Sequence, residues 1–420
     1  MVDLKAGEVA SIASLLEGAA AWVEHGRSGS ISRWLTRELD PEGVPRRLAL
    51  SDWRAGLSLL AECVRARPDG WPDRFDALAE GWFLATLRFS RVDGSPAFGR
   101  SEASREARGL FRTWAERGVD PGMTTVVNWW FPPTHHDRHA PPPLPADSRP
   151  DRPLAILRAN WSKDGDFLAV DHRSPGTTTL TELYGSGRPW IGPSWSSSGP
   201  LPAEPPTRAK PTLWVSQSSA DAAEWSFKVG RARVVRTAVL MRGRKIALLA
   251  EQWDGPNDPG GTRWSLAEGV DVTKSEENRG LALSQARTKL SPRALPIALP
   301  RLPYATDRGG LAHEGGGLVL RQVPTGRRSW RPLLLSWDPR RDRKALQWRA
   351  LTVSEDSKAC APDVAFAARV TWGRDETLLI YRSLAAPATR AFLGHQTRAR
   401  FLIGIFTKEG EVEPLLTVAD

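Results

Sequence analysis

Residues 132–153 read PPTHHDRHAPPPLPADSRPDRP, and eight of these positions are proline. Proline fixes φ and removes a backbone donor, so the stretch is excluded from helix interiors and central strands and is expected to be a stiff, extended connector. It divides a 420-residue chain, a length that suits two or three domains rather than one. The hydrophobic period differs on its two sides.

Before the connector, residues 7–120 carry a helical period. Leu15, Leu16, Ala19, Trp22 and Val23 recur on one face, as do Leu57, Leu60, Ala61 and Val64 after Ser51, Asp52 and Trp53. Pro72 and Asp73 open a further segment carrying Phe75, Leu78, Ala79, Trp82, Phe83 and Ala85. Ser101 or Ser104 is placed to cap another, which holds Leu110, Phe111 and Trp114 and stops at Gly118. Four or five helices are expected within a domain spanning residues 1–131.

From Leu154 onward the period is two. Arg233–Leu240 and Lys245–Ala250 flank Arg242-Gly243 as a hairpin, and Asp164-Gly165, Gly373-Arg374-Asp375 and Glu409-Gly410 are further turn signals between apolar runs. More than a dozen short strands without intervening helices indicate a large antiparallel β-sandwich over residues 154–420. Pro189 to Pro211 is expected to be a long surface loop, and the glycines at 309–310 and 315–317, around His313 and Glu314, to be loop glycines. The fold class is therefore α+β and multidomain, with a short helical region ahead of a supersandwich-like β domain.

Composition removes several functions. Only Cys63 and Cys360 are present, which excludes a disulfide framework and a four-cysteine metal site. The net charge of +10 is spread over the whole chain and favours polyanions only weakly. The 19 tryptophans fit either a sandwich core or a sugar-stacking surface, and composition does not choose between them. No apolar run reaches the ~18–20 residues of a membrane helix. The N-terminus has no basic start or unbroken apolar stretch, so a cytoplasmic location without membrane association is expected. Phosphate-binding loops, dinucleotide fingerprints and nucleophile elbows are absent, and no cofactor is expected.

Residues 180–195 read LTELYGSGRPWIGPSW. A strand ending in Glu-Leu-Tyr, a Gly-Ser-Gly turn and a following Arg-Pro-Trp-Ile-Gly resemble a segment of the heparinase II/III-type polysaccharide lyases. The order of parts is also similar, and the resemblance implies a helical toroid, here truncated, followed by an antiparallel β-sandwich. It further implies an acidic polysaccharide as ligand; no recognised nucleic-acid module is present, so nucleic acid is not expected as a partner. The family carries a histidine motif just before this strand. Here Arg173 and Pro175 stand at those positions, with His172 one residue out of register. The family's helical-domain tyrosine has no counterpart, because Tyr184, Tyr304 and Tyr381 all lie in the β region.

β-Elimination needs a group that masks the carboxylate, a base for the α-proton and an acid for the leaving oxygen. His172, Arg173 and Tyr184 have those capabilities and are the candidate catalytic set; the alternative is a strand edge with an Asp171–Arg173 surface pair. Arg188, Trp190 and Trp195 follow as candidate ligand contacts. So do Arg340, Arg341 and Arg343, within a stretch from Arg321 to Arg349 that interleaves nine basic residues with Trp330, Trp337 and Trp348. The alternative there is a solvated arginine loop flanked by inward-facing tryptophans. His135, His136 and His139 lie among prolines that forbid the helix needed to align them, so no metal site is expected. Two functions remain open: a heparinase-like, carbohydrate-related protein without lyase activity (in a weaker version, with residual lyase activity on an acidic glycan), or a non-enzymatic sandwich that binds polyanions or proteins through a basic and aromatic surface.

Overall fold

The computed structural model describes residues 35–66, 74–99, 105–117, 119–132, 140–149, 151–174, 176–201, 204–275, 278–302 and 308–419. The first expected helix, the connector histidines, Pro175 and Tyr304 lie outside these residues. Two compact units are present, one of residues 1–145 with Trp161–Lys163 and one of residues 146–160 with 164–420.

The first unit contains helices Trp53–Ala66, Arg74–Arg88, Arg105–Ala115 and Pro121–Trp130. The last was not legible as a separate helix in the periodicity. Asp120 caps it, its carboxylate accepting from the Gly122 and Met123 amides at 2.9 and 3.2 Å, and Pro121 occupies the first turn, where no amide is needed. Phe83 stacks on Trp114 at 5.7 Å, and Phe111 on Phe131 at 6.0 Å, forming the aromatic centre of the unit. Cys63 is buried there and free; burial pushes its thiol up to about 11, which makes it a poor nucleophile. Among the described residues no helix is long and apolar enough to cross a membrane.

The second unit is built from antiparallel sheets. One eight-stranded sheet orders Asp147–Ser148, Leu154–Arg158, Phe167–Asp171, Thr178–Gly185, Arg188–Ser198, Gly261–Leu266, Gly317–Gln322 and Gly309–Glu314. A second runs Val270–Lys274, Leu281–Gln285, Arg293–Leu295, Arg328–Ser336, Ile246–Asp254, Ala232–Met241, Ala220–Val229 and Lys210–Ser216. This second sheet is central. One face packs on the first sheet through residues such as Trp225, Leu249 and Trp264. The other packs through Val239, Leu248 and Leu334 on a five-stranded third sheet built around Ala365–Trp372, Glu376–Ser383 and Phe401–Phe406. Strand alternation explains the division, since neighbours such as Leu248 and Leu249 point to opposite faces.

Two expectations are corrected. Arg188–Ser198 is an eleven-residue strand hydrogen-bonded on both sides, not the start of a surface loop. Its prolines are tolerated because Pro189 sits at the strand start and Pro193 falls in a gap of the ladder, between the Leu183–Ile191 and Leu180–Ser194 pairs. Likewise Gly309–Glu314 is an edge strand that turns through Gly315-Gly316 into Gly317–Gln322. Gly309 lies so close to the Arg321 carbonyl that a Cβ would approach it to 2.2 Å, so this glycine serves the pairing.

Candidate functional site

His172 ends the strand Phe167–Asp171 and turns inward, with 1% of its surface exposed. Its Nε2 lies 3.1 Å from the Gly176 carbonyl oxygen and its Nδ1 lies 2.9 Å from the Thr179 hydroxyl. A carbonyl only accepts, so Nε2 carries the proton and Nδ1 accepts from Thr179. The Thr179 oxygen in turn accepts from the Arg236 guanidinium. The ring also meets Phe227 edge-on at 4.7 Å. Burial, followed by the nearby Arg236 charge, lowers the imidazole pKa to about 4, so His172 is neutral at physiological pH.

Arg236 leads into a charged layer between the first and central sheets. Register places Arg236, Glu251 and Arg331 directly opposite one another on three adjacent strands. All three are fully buried. Glu251 Oε2 accepts from Arg236 at 3.0 Å and from Ser197 at 2.9 Å, and its Oε1 accepts from Thr262 at 3.0 Å and Arg331 at 3.4 Å. Arg331 also binds Asp258 at 2.6 Å, and Arg236 is held between the rings of Trp195 and Phe227, each 5.2 Å away. Burial raises the Glu251 pKa, but the two guanidiniums outweigh it and hold the carboxyl below its ordinary value. On the opposite face of the central sheet, the buried Glu224 binds Arg382, Thr237 and the partly exposed Arg400 in a second charged cluster. The sequence signal for both was a charge inside an otherwise apolar run, as in VVRTAVL and ALLAEQW. Only the register shows that these charges meet.

The remaining candidates are dispersed. Arg173 folds back on Asp171, donating to both carboxylate oxygens at 3.0 and 2.7 Å. Tyr184 lies five residues along the strand from Thr179, about 17 Å at ~3.4 Å per residue, and stacks on Phe167 at 4.7 Å. His172, just past Asp171, and Tyr184, opposite Phe167, therefore lie at opposite ends of one strand pair and do not share a cleft. Ser186 and Gly187, with φ of 50° and 72°, form the two-residue turn whose backbone hand suits a hairpin. That turn is fixed by Asp166, which accepts from the Ser186 amide at 2.7 Å and from Trp337 Nε1 at 2.9 Å. Gly185 lies flat against the Trp337 ring, where a Cβ would approach to 2.7 Å. Arg188, just after the turn, is exposed.

Trp190 and Trp195 are core residues. Trp190 donates to the Gly185 carbonyl at 3.1 Å, and Trp195 pairs across strands with Trp264, ring to ring at 5.9 Å. Neither offers a face to a sugar. Trp330, Trp337 and Trp348 are buried as well. Arg341 is a structural residue: it donates to Glu376 at 2.5 and 3.1 Å and lies over Trp372 at 4.6 Å. Arg340 is exposed and paired with Asp338, and Arg343 is exposed. Among the described residues no group of His, Cys, Asp and Glu is arranged to hold a metal ion.

No protein-family model matches the chain, and no curated protein matches it in sequence. Its structure is similar to that of a mutant heparan sulfate lyase from Pedobacter heparinus, with a TM-score of 0.65 and 13% identity over 91% of this chain and 67% of the other. A heparinase III gene product is similar at a TM-score of 0.64 and 11% identity, over 89% of this chain and 65% of that one. The fold is heparinase-like, and the chain spans about two thirds of the length of these lyases.

Proposed function

We propose that this chain is a carbohydrate-related protein of heparinase-like fold that does not turn over as a lyase. The carrying observation is the state of His172: neutral, enclosed between sheets and bonded at both ring nitrogens. A base must reach the α-proton of its substrate, and a carboxylate-masking group must carry an available charge. His172 meets neither requirement, and the Arg173 charge is already matched by Asp171. Tyr184 alone leaves elimination without partners, and each missing acid–base group costs about 100- to 10,000-fold.

The purified chain, incubated with heparan sulfate, heparin, hyaluronan or alginate, is expected to give no rise in the absorbance of unsaturated uronate product. Sustained product formation that is abolished by Tyr184→Phe or His172→Ala would overturn the proposal. A second reading, non-enzymatic polyanion binding, is favoured by one specific feature, a group of arginines on and beside the third sheet that have no carboxylate partner among the described residues.

A further inference from the structure

The edge strand Leu346–Leu351 of the third sheet lies beside Ala365–Trp372, and register sets Arg349 directly opposite Arg369 and Gln347 opposite Thr371. Like charges in directly opposed positions destabilise a sheet. Arg301 and Arg308 line the same groove, of about 450 Å³. Among the described residues no lining residue is acidic, and none of the four guanidiniums is paired with a carboxylate. This contrasts with the many arginines of the unit that are paired, such as Arg236, Arg341, Arg382 and Arg390. The groove continues past Ala298, Arg308 and Ala350 into a second of about 320 Å³, which also has no acidic lining residue among the described residues. Burial, and after it the Arg349 charge, lowers the Arg369 pKa.

We infer that this groove binds a segment of an anionic glycan, its sulfate or carboxylate groups held by Arg301, Arg308, Arg349 and Arg369. The ligand class rests on the carbohydrate-related reading above; the location does not. Guanidinium forks match small planar or tetrahedral oxyanions, and Gln347 and Thr371 add neutral partners suited to hydroxyls. Single-stranded nucleic acid is disfavoured because its sites supply exposed aromatic platforms. The tryptophans that line these grooves, Trp348 and Trp330, are buried at 3% and 2% exposure.

The test is a calorimetric titration of the full chain with a size-defined sulfated oligosaccharide, alongside a single-stranded oligodeoxynucleotide of equal charge. The expected result is salt-sensitive binding of the oligosaccharide that weakens about a hundredfold in the Arg349→Ser, Arg369→Ser double variant, since charge-assisted bonds are each worth about tenfold or more. Arg374→Ser, at an exposed turn elsewhere on the sheet, is expected to bind as the parent does. The double variant relieves a repulsion, so its melting temperature should not fall, which separates lost binding from lost fold. Full affinity in the double variant would overturn the groove and leave the carbohydrate reading intact. Tighter binding of the oligonucleotide would overturn the ligand class, and no oligosaccharide binding by the parent chain would overturn both.

Discussion

Glu251→Ala is expected to destabilise the β unit by about 3–5 kcal/mol, the loss found when one partner of a buried ion pair is removed. The carboxylate is the only anion directly opposite both Arg236 and Arg331 in the register. Without it, the acceptors left to Arg236 among the described residues are neutral, among them Thr179 and the Thr177 and Trp195 carbonyls, while Arg331 keeps Asp258. In a unit of this size the loss corresponds to a fall of roughly 10 °C in melting temperature. Scanning calorimetry of the variant checks it. Simultaneous replacement of Arg236, Glu251 and Arg331 by apolar residues of similar volume is expected to recover most of the loss, because the desolvation of three charges disappears with their attraction. A Glu251→Ala variant within about 1 kcal/mol of the parent would mean that the layer is solvated and not a sealed part of the core.

The second large effect is on pH dependence. His172 has a pKa of about 4 in the folded chain against 6.5 ordinarily. Above pH 6.5 the ring is neutral folded and unfolded, and stability is undiminished. As pH falls below 6.5 the unfolded chain takes up a proton that the folded chain refuses, so stability declines until the folded pKa is reached. The loss is on the order of 3 kcal/mol. The charged groups around the ring are Asp171, Arg236 and Glu251, and Arg236 dominates them in opposing protonation. In His172→Gln the amide can donate to Gly176 and accept from Thr179 without titrating. The gap in melting temperature between parent and variant is therefore expected to change between pH 7 and pH 4.5 in the variant's favour. Parallel pH profiles would contradict the assignment.

Much of the fold was legible in the sequence. The hairpin of Ala232–Met241 and Ile246–Asp254 stood out because a two-residue period flanks a glycine turn. The heparinase resemblance carried by residues 180–195 agrees with the fold found by structural comparison. Strands were missed where a residue's local preference conflicts with its tertiary role. Pro193 reads as a loop residue until the ladder gap that accommodates it is seen. Gly309 reads as flexible until its close approach to Arg321 is seen.

The candidate site was legible only in its ingredients. Residue types at 172, 173 and 184 suited elimination chemistry, but the strand between them holds His172 and Tyr184 apart. Likewise the abundance of tryptophan did not distinguish core from binding surface, and burial places Trp190 and Trp195 in the core. The Arg236–Glu251–Arg331 layer and the Arg349–Arg369 pair depend on cross-strand register between segments distant in sequence, which no local pattern encodes.

The most direct test of the central claim, that the histidine nearest the heparinase-like segment 180–195 is committed to the fold and not to proton transfer, is an NMR titration of His172. The chain has seven histidines, so selective imidazole labelling with His172→Gln as the assignment control isolates the signal. The expected result is a neutral ring protonated at Nε2, unchanged from pH 8 to about pH 5 and insensitive to added sulfated oligosaccharide. A His172 resonance that titrates near 6.5, or that shifts on addition of glycan, would show an accessible imidazole and contradict the account.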